Sequence, residues 1–382
     1  MRLITLFIAM CAAMLTAAAQ TRDAAVADPT AGGNLVDRVV NYFDQSNKTQ
    51  ITRRPNVSFL GGPYYSSDMK FGIGVMAGGI YSTCPEDTLV APSNTRLFLN
   101  LATGGYVKVG FDGIHLYGHG NRRVDYEISG FVYKTYFWGT GYDAARSKAN
   151  KSRYLRLNFT AEATHLWRVK GPLFVGPMVH FEHNTARAIH HPDIWRGIDR
   201  HVTSIGAGVK LQFDTRDNLT APTRGMMGEI IQSFYPRFLG NGRHSFSSTD
   251  LSVNSYNPVW RGGVVASRFH TRFTYGATPW ALMPTVGGSY IMRGYYEGQY
   301  RDKCVTDLTV ELRQHVVGRS GVVVWGGLGA VYPSFKGFHG RYLLPNYGVG
   351  YRWEFKRQSN VRLDFGFGKG CWGVEFNMNE AF

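Results

Sequence analysis

Three consecutive segments near the end of the chain alternate with a period of two, and this pattern constrains the fold more than any other feature. In the first, Tyr347, Val349, Tyr351, Trp353 and Phe355 fall on one side and Gly348, Gly350, Arg352, Glu354 and Lys356 on the other. Next, Val361, Leu363, Phe365 and Phe367 oppose Arg362, Asp364, Gly366 and Gly368. Last, Trp372, Val374, Phe376, Met378 and Phe382 oppose Gly373, Glu375, Asn377 and Asn379. Successive side chains of a strand point to opposite faces, so each segment has one apolar and one polar or glycine face. A soluble sandwich alternates too, but it fills the apolar face with branched aliphatics. Aromatics near the strand ends match the interfacial girdle of a membrane barrel, and the charged face matches a hydrated or plugged lumen.

Similar segments lie at 71–81, 93–103, 106–117, 124–136, 153–165, 171–183, 203–214, 224–235, 246–256, 262–275, 278–286, 304–314 and 320–333. Together with the last three they predict a sixteen-stranded barrel, an even number as bacterial single-chain barrels require. The weakest alternation is in 246–256 and 278–286, and without these two the count is fourteen. Only a closed sheet satisfies every backbone donor in lipid, so the expected fold is an all-β, transmembrane antiparallel β-barrel. Beyond the N-terminus no apolar run of about 18 residues predicts a membrane helix.

Arg2, the apolar run from Leu3 to Leu15 and Ala17-Ala18-Ala19 read as a signal peptide over 1–19. Met10 stands where a lipidation site at Cys11 needs a small residue. Residues 20–54 are expected to form a periplasmic segment with one short helix over 34–44, and 55–382 the barrel. Asn56 to Pro63 opens the extended region. Polar loops are expected at Asp143–Ser152 and His183–Asp199.

The net charge is +15 and 14% of residues are aromatic, a balance that in a soluble protein points to nucleic acid. Here the basic residues are interleaved singly with apolar ones, as in Arg153-Tyr154-Leu155-Arg156-Leu157. That pattern lines a lumen, so outer-membrane lipid is the expected partner and nucleic acid is not. Cys84, Cys304 and Cys371 form no disulfide framework, and Cys304 and Cys371 read as small apolar surface residues in strands. His180, Glu182 and His183 alternate across a strand, and with His190 and His191 they read as a histidine-rich loop region, not a metal site. Asp214-Thr215-Arg216-Asp217 reads as a turn. No catalytic motif appears, and no metal or cofactor is expected.

One segment remains: Gly287-Gly288-Ser289-Tyr290-Ile291-Met292-Arg293-Gly294-Tyr295-Tyr296. Its glycines permit a tight re-entrant turn, and an arginine carried into a lumen is desolvated and needs a carboxylate. Gly287-Gly288-Ser289 with Met292-Arg293-Gly294-Tyr295 resembles the loop motif of the BamA/TamA superfamily of outer-membrane assembly and translocation barrels, the bacterial surface antigen family. Three further blocks carry the resemblance. They are Glu311-Leu312-Arg313, the stretch from Leu211 to Asn218 continuing through Pro222 to Gly225, and the terminal Gly373-Val374-Glu375-Phe376 with Phe382, similar to the family's insertion signal. The resemblance covers roughly residues 200–382.

It implies a loop tucked into the lumen of a barrel in a Gram-negative outer membrane, with Gly287, Gly288, Arg293, Gly294 and Tyr295 at its tip. It also implies insertion or translocation of client proteins by lateral opening between first and last strands, with periplasmic or lipoprotein partners. Gly366, Gly368 and Gly370 are expected to weaken that seam. Two departures stand out. The stretch between the signal and the strand at 71–81 is too short for the family's periplasmic repeat domains. Gly327 occupies the usual place of the acidic partner of the loop arginine, which leaves Glu311 and Asp364, both inward in register, as its expected partners. The alternative function is a passive pore or structural barrel without assembly activity.

Overall fold

The computed structural model describes residues 53, 56–86, 92–242, 245–356 and 359–382. The signal peptide and the helix expected over 34–44 lie outside the described residues. Sixteen strands close into one antiparallel barrel. In chain order they are β1 (Asn56–Ser66), β2 (Lys70–Tyr81), β3 (Ser93–Ala102), β4 (Tyr106–Tyr117), β5 (Arg122–Phe137), β6 (Ser152–Lys170), β7 (Leu173–Arg187), β8 (His201–Asp214), β9 (Gly225–Tyr235), β10 (Phe246–Trp260), β11 (Gly263–Gly276), β14 (Cys304–Val317), β15 (Ser320–Tyr332), β16 (Leu344–Lys356), β17 (Ser359–Gly368) and β18 (Cys371–Met378). The short β12 (Thr285–Val286) and β13 (Tyr300–Arg301) pair with each other inside the connection between β11 and β14.

The strand number agrees with the sequence reading, but its membership differs. β1 adds a strand that the alternation did not mark, and 278–286 contributes no barrel strand. Pro279 and Pro284 each lack an N–H for a ladder, which disfavours a central strand there. Trp280 and Leu282 are almost fully buried, so the apolar residues of this segment serve an interior cluster and not the lipid face. β7 also runs four residues past His183, whose ring bonds Thr203 Oγ1 at 2.9 Å, so the loop expected from His183 begins after Arg187.

Polarity is inverted relative to a soluble protein. Tyr347, Val349, Val322, Val324 and Phe365 are exposed on the outer surface, whereas Arg352, Arg362 and Asp364 are buried within. An apolar outer band of this extent is the surface that a membrane-spanning barrel presents. Cys304, expected at the surface, is instead 2% exposed and packs with Ala330 and Tyr332.

The long connections 138–151, 188–200, 277–303 and 333–343 all emerge at one end, and tight turns such as 171–172, 261–262 and 318–319 lie at the other. The loop end is closed by an aromatic cluster. Phe137 and Trp195 have ring centroids 4.5 Å apart, and Trp195 and Trp280 5.1 Å apart. Indole N–H groups tie the cluster down: Trp280 Nε1 donates to the Asp199 carbonyl at 2.9 Å and Trp195 Nε1 to Ser152 Oγ at 3.3 Å. The 277–303 loop then descends from this cap into the lumen.

If the outer band is a lipid face, the cost of a charge there depends on depth. Val324→Arg, well inside a span, should lower the stability of the vesicle-refolded barrel by about 2–4 kcal/mol, whereas Val316→Arg, beside a tight turn, should cost about 0–1 kcal/mol. Equilibrium denaturant titration measures both, and equal costs would contradict the assignment.

Candidate functional site

The tip of the lumen loop is shaped by glycines in conformations closed to other residues. Gly287, Gly288 and Gly294 have φ of 106°, 108° and 104°. Gly288 N donates to the Tyr295 carbonyl at 3.1 Å and Tyr295 N to the Met292 carbonyl at 3.2 Å, which closes the tip into a compact turn. Side-chain-bearing residues rarely adopt such φ values, so the glycines are required by the turn itself.

The tip lies against the wall formed by β17 and β18, and the wall is pared down to receive it. A methyl group on Gly366 would stand 2.3 Å from the Arg293 carbonyl oxygen, and one on Gly368 would stand 2.4 Å from the Tyr295 ring. One on Gly373 would come within 3.1 Å of Gly294 Cα. These distances correct the expected role of Gly366 and Gly368. Both belong to β17 and not to the seam; Gly366 admits the loop backbone and Gly368 the Tyr295 ring. Gly370, with φ of 71°, forms the turn into β18.

The Arg293 side chain, 1% exposed, meets both expected carboxylates. Nη1 donates to Asp364 Oδ2 at 2.6 Å, and Nη2 donates to Glu311 Oε1. Its guanidinium carbon sits 3.6 Å from the centroid of the Trp325 ring, a desolvated cation–π contact. The backbone is pinned as well. Asn346 Nδ2 donates to the Arg293 carbonyl at 2.5 Å, and Trp325 Nε1 orients that amide by donating to Asn346 Oδ1 at 3.1 Å. Tyr295 OH donates to the Pro345 carbonyl and accepts from Lys369 N, both at 2.7 Å. Ser289 Oγ donates to Glu375 Oε2 at 2.7 Å.

Sequence reasoning missed the larger arrangement. Arg313 Nη2 lies 2.9 Å from Glu311 Oε2, and Arg313 Nε lies 3.8 Å from Glu380 Oε2. Arg352 Nε donates to Glu380 Oε2 at 2.8 Å and Arg352 Nη1 to Asp364 Oδ1 at 2.5 Å. Arg293, Glu311, Arg313, Glu380, Arg352 and Asp364 therefore form a closed ring of alternating charge. Arg362 adds a bond of 3.0 Å to Asp364 and a second of 2.7 Å to the Ser289 carbonyl. The inward register of Arg313, Arg352 and Arg362 beside the carboxylates was a usable signal. Glu380 left none, because it lies beyond the last strand.

Glu380 reaches the ring because the chain turns inward after β18. Asn379 has φ of 63°, its N–H donates to the Asn360 carbonyl at 2.7 Å, and Glu380 N donates to the Thr220 carbonyl at 3.3 Å. Phe382 ends beneath Arg313, whose Nη2 donates to its main-chain oxygen at 3.0 Å. The remaining residues of the expected insertion signal stay in β18. Gly373 is inward against the loop, and Val374 and Phe376 are half-buried on the outer face.

Asp214 to Asp217 form a turn, with Arg216 Nη2 2.7 Å from Asp214 Oδ2 and Thr223 Oγ1 2.5 Å from Asp217 Oδ2. His180 and Glu182 are 3.7 Å apart in the lumen, while His183 is bonded to Thr203 and Thr185.

Among solved structures the chain is similar to BamA from Haemophilus ducreyi lacking POTRA domains 1-3, with a TM-score of 0.58 and 12% identity over 85% of this chain and 70% of that one. CdiB from Acinetobacter baumannii gives a TM-score of 0.54 at 13% identity, over 84% of this chain and 59% of that one. CdiB from Escherichia coli gives 0.54 at 13%, over 85% and 63%. The chain thus has the barrel fold of BamA and CdiB, and it spans under two thirds of the length of either CdiB chain. No protein-family model matches the sequence, and no curated protein matches it.

Removing one member of a buried ion pair strands its partner, so Arg293→Ala should destabilise the barrel by about 3–5 kcal/mol. Heat-modifiable electrophoretic mobility and denaturant titration report this. Gly366→Val leaves every charge in place yet displaces the tip. It is expected to make 287–297 newly accessible to protease, and continued protection would contradict the close approach.

Proposed function

We propose that this protein is an outer-membrane barrel that inserts or translocates client proteins through a lateral opening between β1 and β18. The observation that carries this reading is the brevity of the seam. β1 pairs with β2 from Asn56 to Ser66, but among the described residues meets β18 only at Tyr65–Phe376 and Ser66–Glu375, with three further bonds between Ser67 and Val374. β18 is eight residues long, and the inward turn at Asn379 takes the chain away from β1. A ladder this short is the cheapest place to part the wall, and a parted strand edge is a template for an incoming strand. The shared fold with BamA and CdiB supports the same reading.

The passive pore is the weaker alternative. Loop 277–303 and the aromatic cap occupy the loop end, which favours a closed resting lumen over a standing channel.

Cysteines at Tyr65 and Phe376, in a background free of other cysteines, test the mechanism. Oxidation should abolish client accumulation in the outer membrane and reductant should restore it, as read by quantitative proteomics. Full activity in the oxidised form would sink lateral opening. An unchanged proteome after gene deletion, with altered solute permeability, would favour the pore.

A further inference from the structure

Strands β5, β6 and β7 sort their charges by face. Their acidic residues, Asp125, Glu127, Glu162 and Glu182, all border cavities of the lumen. Arg153 and Arg156 stand three apart in β6 and therefore point opposite ways. Arg156 lines the lumen, whereas Arg153 is exposed between the buried Ser152 and Tyr154. The basic pattern around Arg153 thus serves both faces and not the lumen alone. Lys134, exposed between the buried Tyr133 and Thr135, and Arg187, exposed beside the buried Ala186, share the outer face with it.

Register brings these three cations together at the loop end. Lys134 pairs with Leu155, and Leu155 with Arg187, which makes one row across three strands. The ends of such a row are about 10 Å apart, and Arg153, two residues from Leu155 along β6, is roughly 7 Å off the row. Long side chains cover these spans. Two of them are steadied locally. Arg153 Nη2 lies 2.6 Å from His190 Nε2, and His190 N donates to the Arg153 carbonyl at 3.0 Å. The Lys134 stem lies over Gly105, where an added methyl group would meet Lys134 Cδ at 2.9 Å. Among the described residues none of the three pairs with a carboxylate. Asp143 is taken by Arg341 at 3.1 Å and Asp193 by Arg196 at 3.0 Å, and Asp199 is engaged as well.

The same face continues towards the tight turns as an apolar surface. Leu157 and Phe159 follow Leu155 along β6, the Phe159 and Phe181 rings have centroids 5.9 Å apart, and Val179 is 58% exposed. We infer that Lys134, Arg153 and Arg187 form a binding site for the phosphate headgroup of a membrane lipid, whose acyl chains lie along these apolar rows. Guanidinium forks match phosphate geometry, and basic side chains at the edge of an apolar band reach the headgroup layer. A soluble anion would use the cations and leave the rows beneath them uncovered, which favours a lipid. The inference rests on the outer band being a lipid face and not on lateral opening.

The test is native mass spectrometry of the full chain refolded in neutral detergent micelles, titrated with bis-phosphorylated lipid A and, separately, with phosphatidylcholine. Saturable retention of lipid A over phosphatidylcholine is expected. It should weaken about tenfold or more when Lys134→Gln, Arg153→Gln and Arg187→Gln are combined, because each cation near a headgroup adds to the attraction. Arg122→Gln, Lys170→Gln and Arg261→Gln together remove the same charge at the tight-turn end and should leave retention unchanged. Heat-modifiable mobility checks that both variants fold; should the first not fold, Arg187→Gln alone is read in its place. Equal loss in the two folded variants, or displacement of lipid A by inorganic phosphate at constant ionic strength, overturns the site. Refolding into phosphatidylcholine vesicles separates the two readings. A barrel that inserts there yet shows no preference for lipid A overturns the site alone, and failure to insert overturns the lipid face with it.

Discussion

The ring of alternating charge around Arg293 is the interaction on which the interior depends. It joins five separate pieces of chain: the lumen loop, β14, β16, β17 and the tail after β18. Buried ion pairs are weak evidence of net stability, because desolvation offsets their attraction, and apolar residues of similar volume often do as well. What the ring supplies is position. An arginine held by two carboxylates and an indole face has one place to be, and the loop backbone follows it.

Position matters because the loop and the seam share a wall. Gly366 and Gly368 in β17 admit the loop tip, Gly373 in β18 touches Gly294, and Ser289 bonds Glu375, which stands in the two-pair seam with β1. The tail reaches the same ring through Glu380, and by turning inward it shortens the strand that borders β1. The arrangement of the loop, the tail and the closing edge of the barrel is therefore one coupled structure. A displacement at Arg293 has a direct physical path to the seam.

The loop end is built on different chemistry. There the closure is aromatic, with tryptophan and tyrosine rings packed edge to face, the Trp280 N–H bonded to the Asp199 carbonyl and the Trp195 N–H to Ser152 Oγ. The two halves of the lumen differ accordingly. The side near β14 to β18 is filled and charge-balanced, and the side near β4 to β11 holds a chamber of about 600 Å³.

Much of the barrel was legible in the chain because a strand in lipid has to alternate, and alternation is a local property. The faces of β16, β17 and β18 follow from it, as does the inward direction of Glu311 and Asp364. Where local rules were ambiguous, tertiary structure decided. An apolar segment with prolines at 279 and 284 belongs to an interior cap and not to the wall, and β1 is a strand despite a glycine- and proline-bearing sequence. Glycines read as weak points of the seam prove to be the clearance for a loop. Arg293 stands 18 residues from Glu311 and 71 from Asp364. The sequence by itself determined that such a buried arginine needs carboxylates on the inner face. Closure of the sheet alone decided that it takes both and that Glu380 completes the ring, because register within a strand is local whereas proximity across a lumen is not.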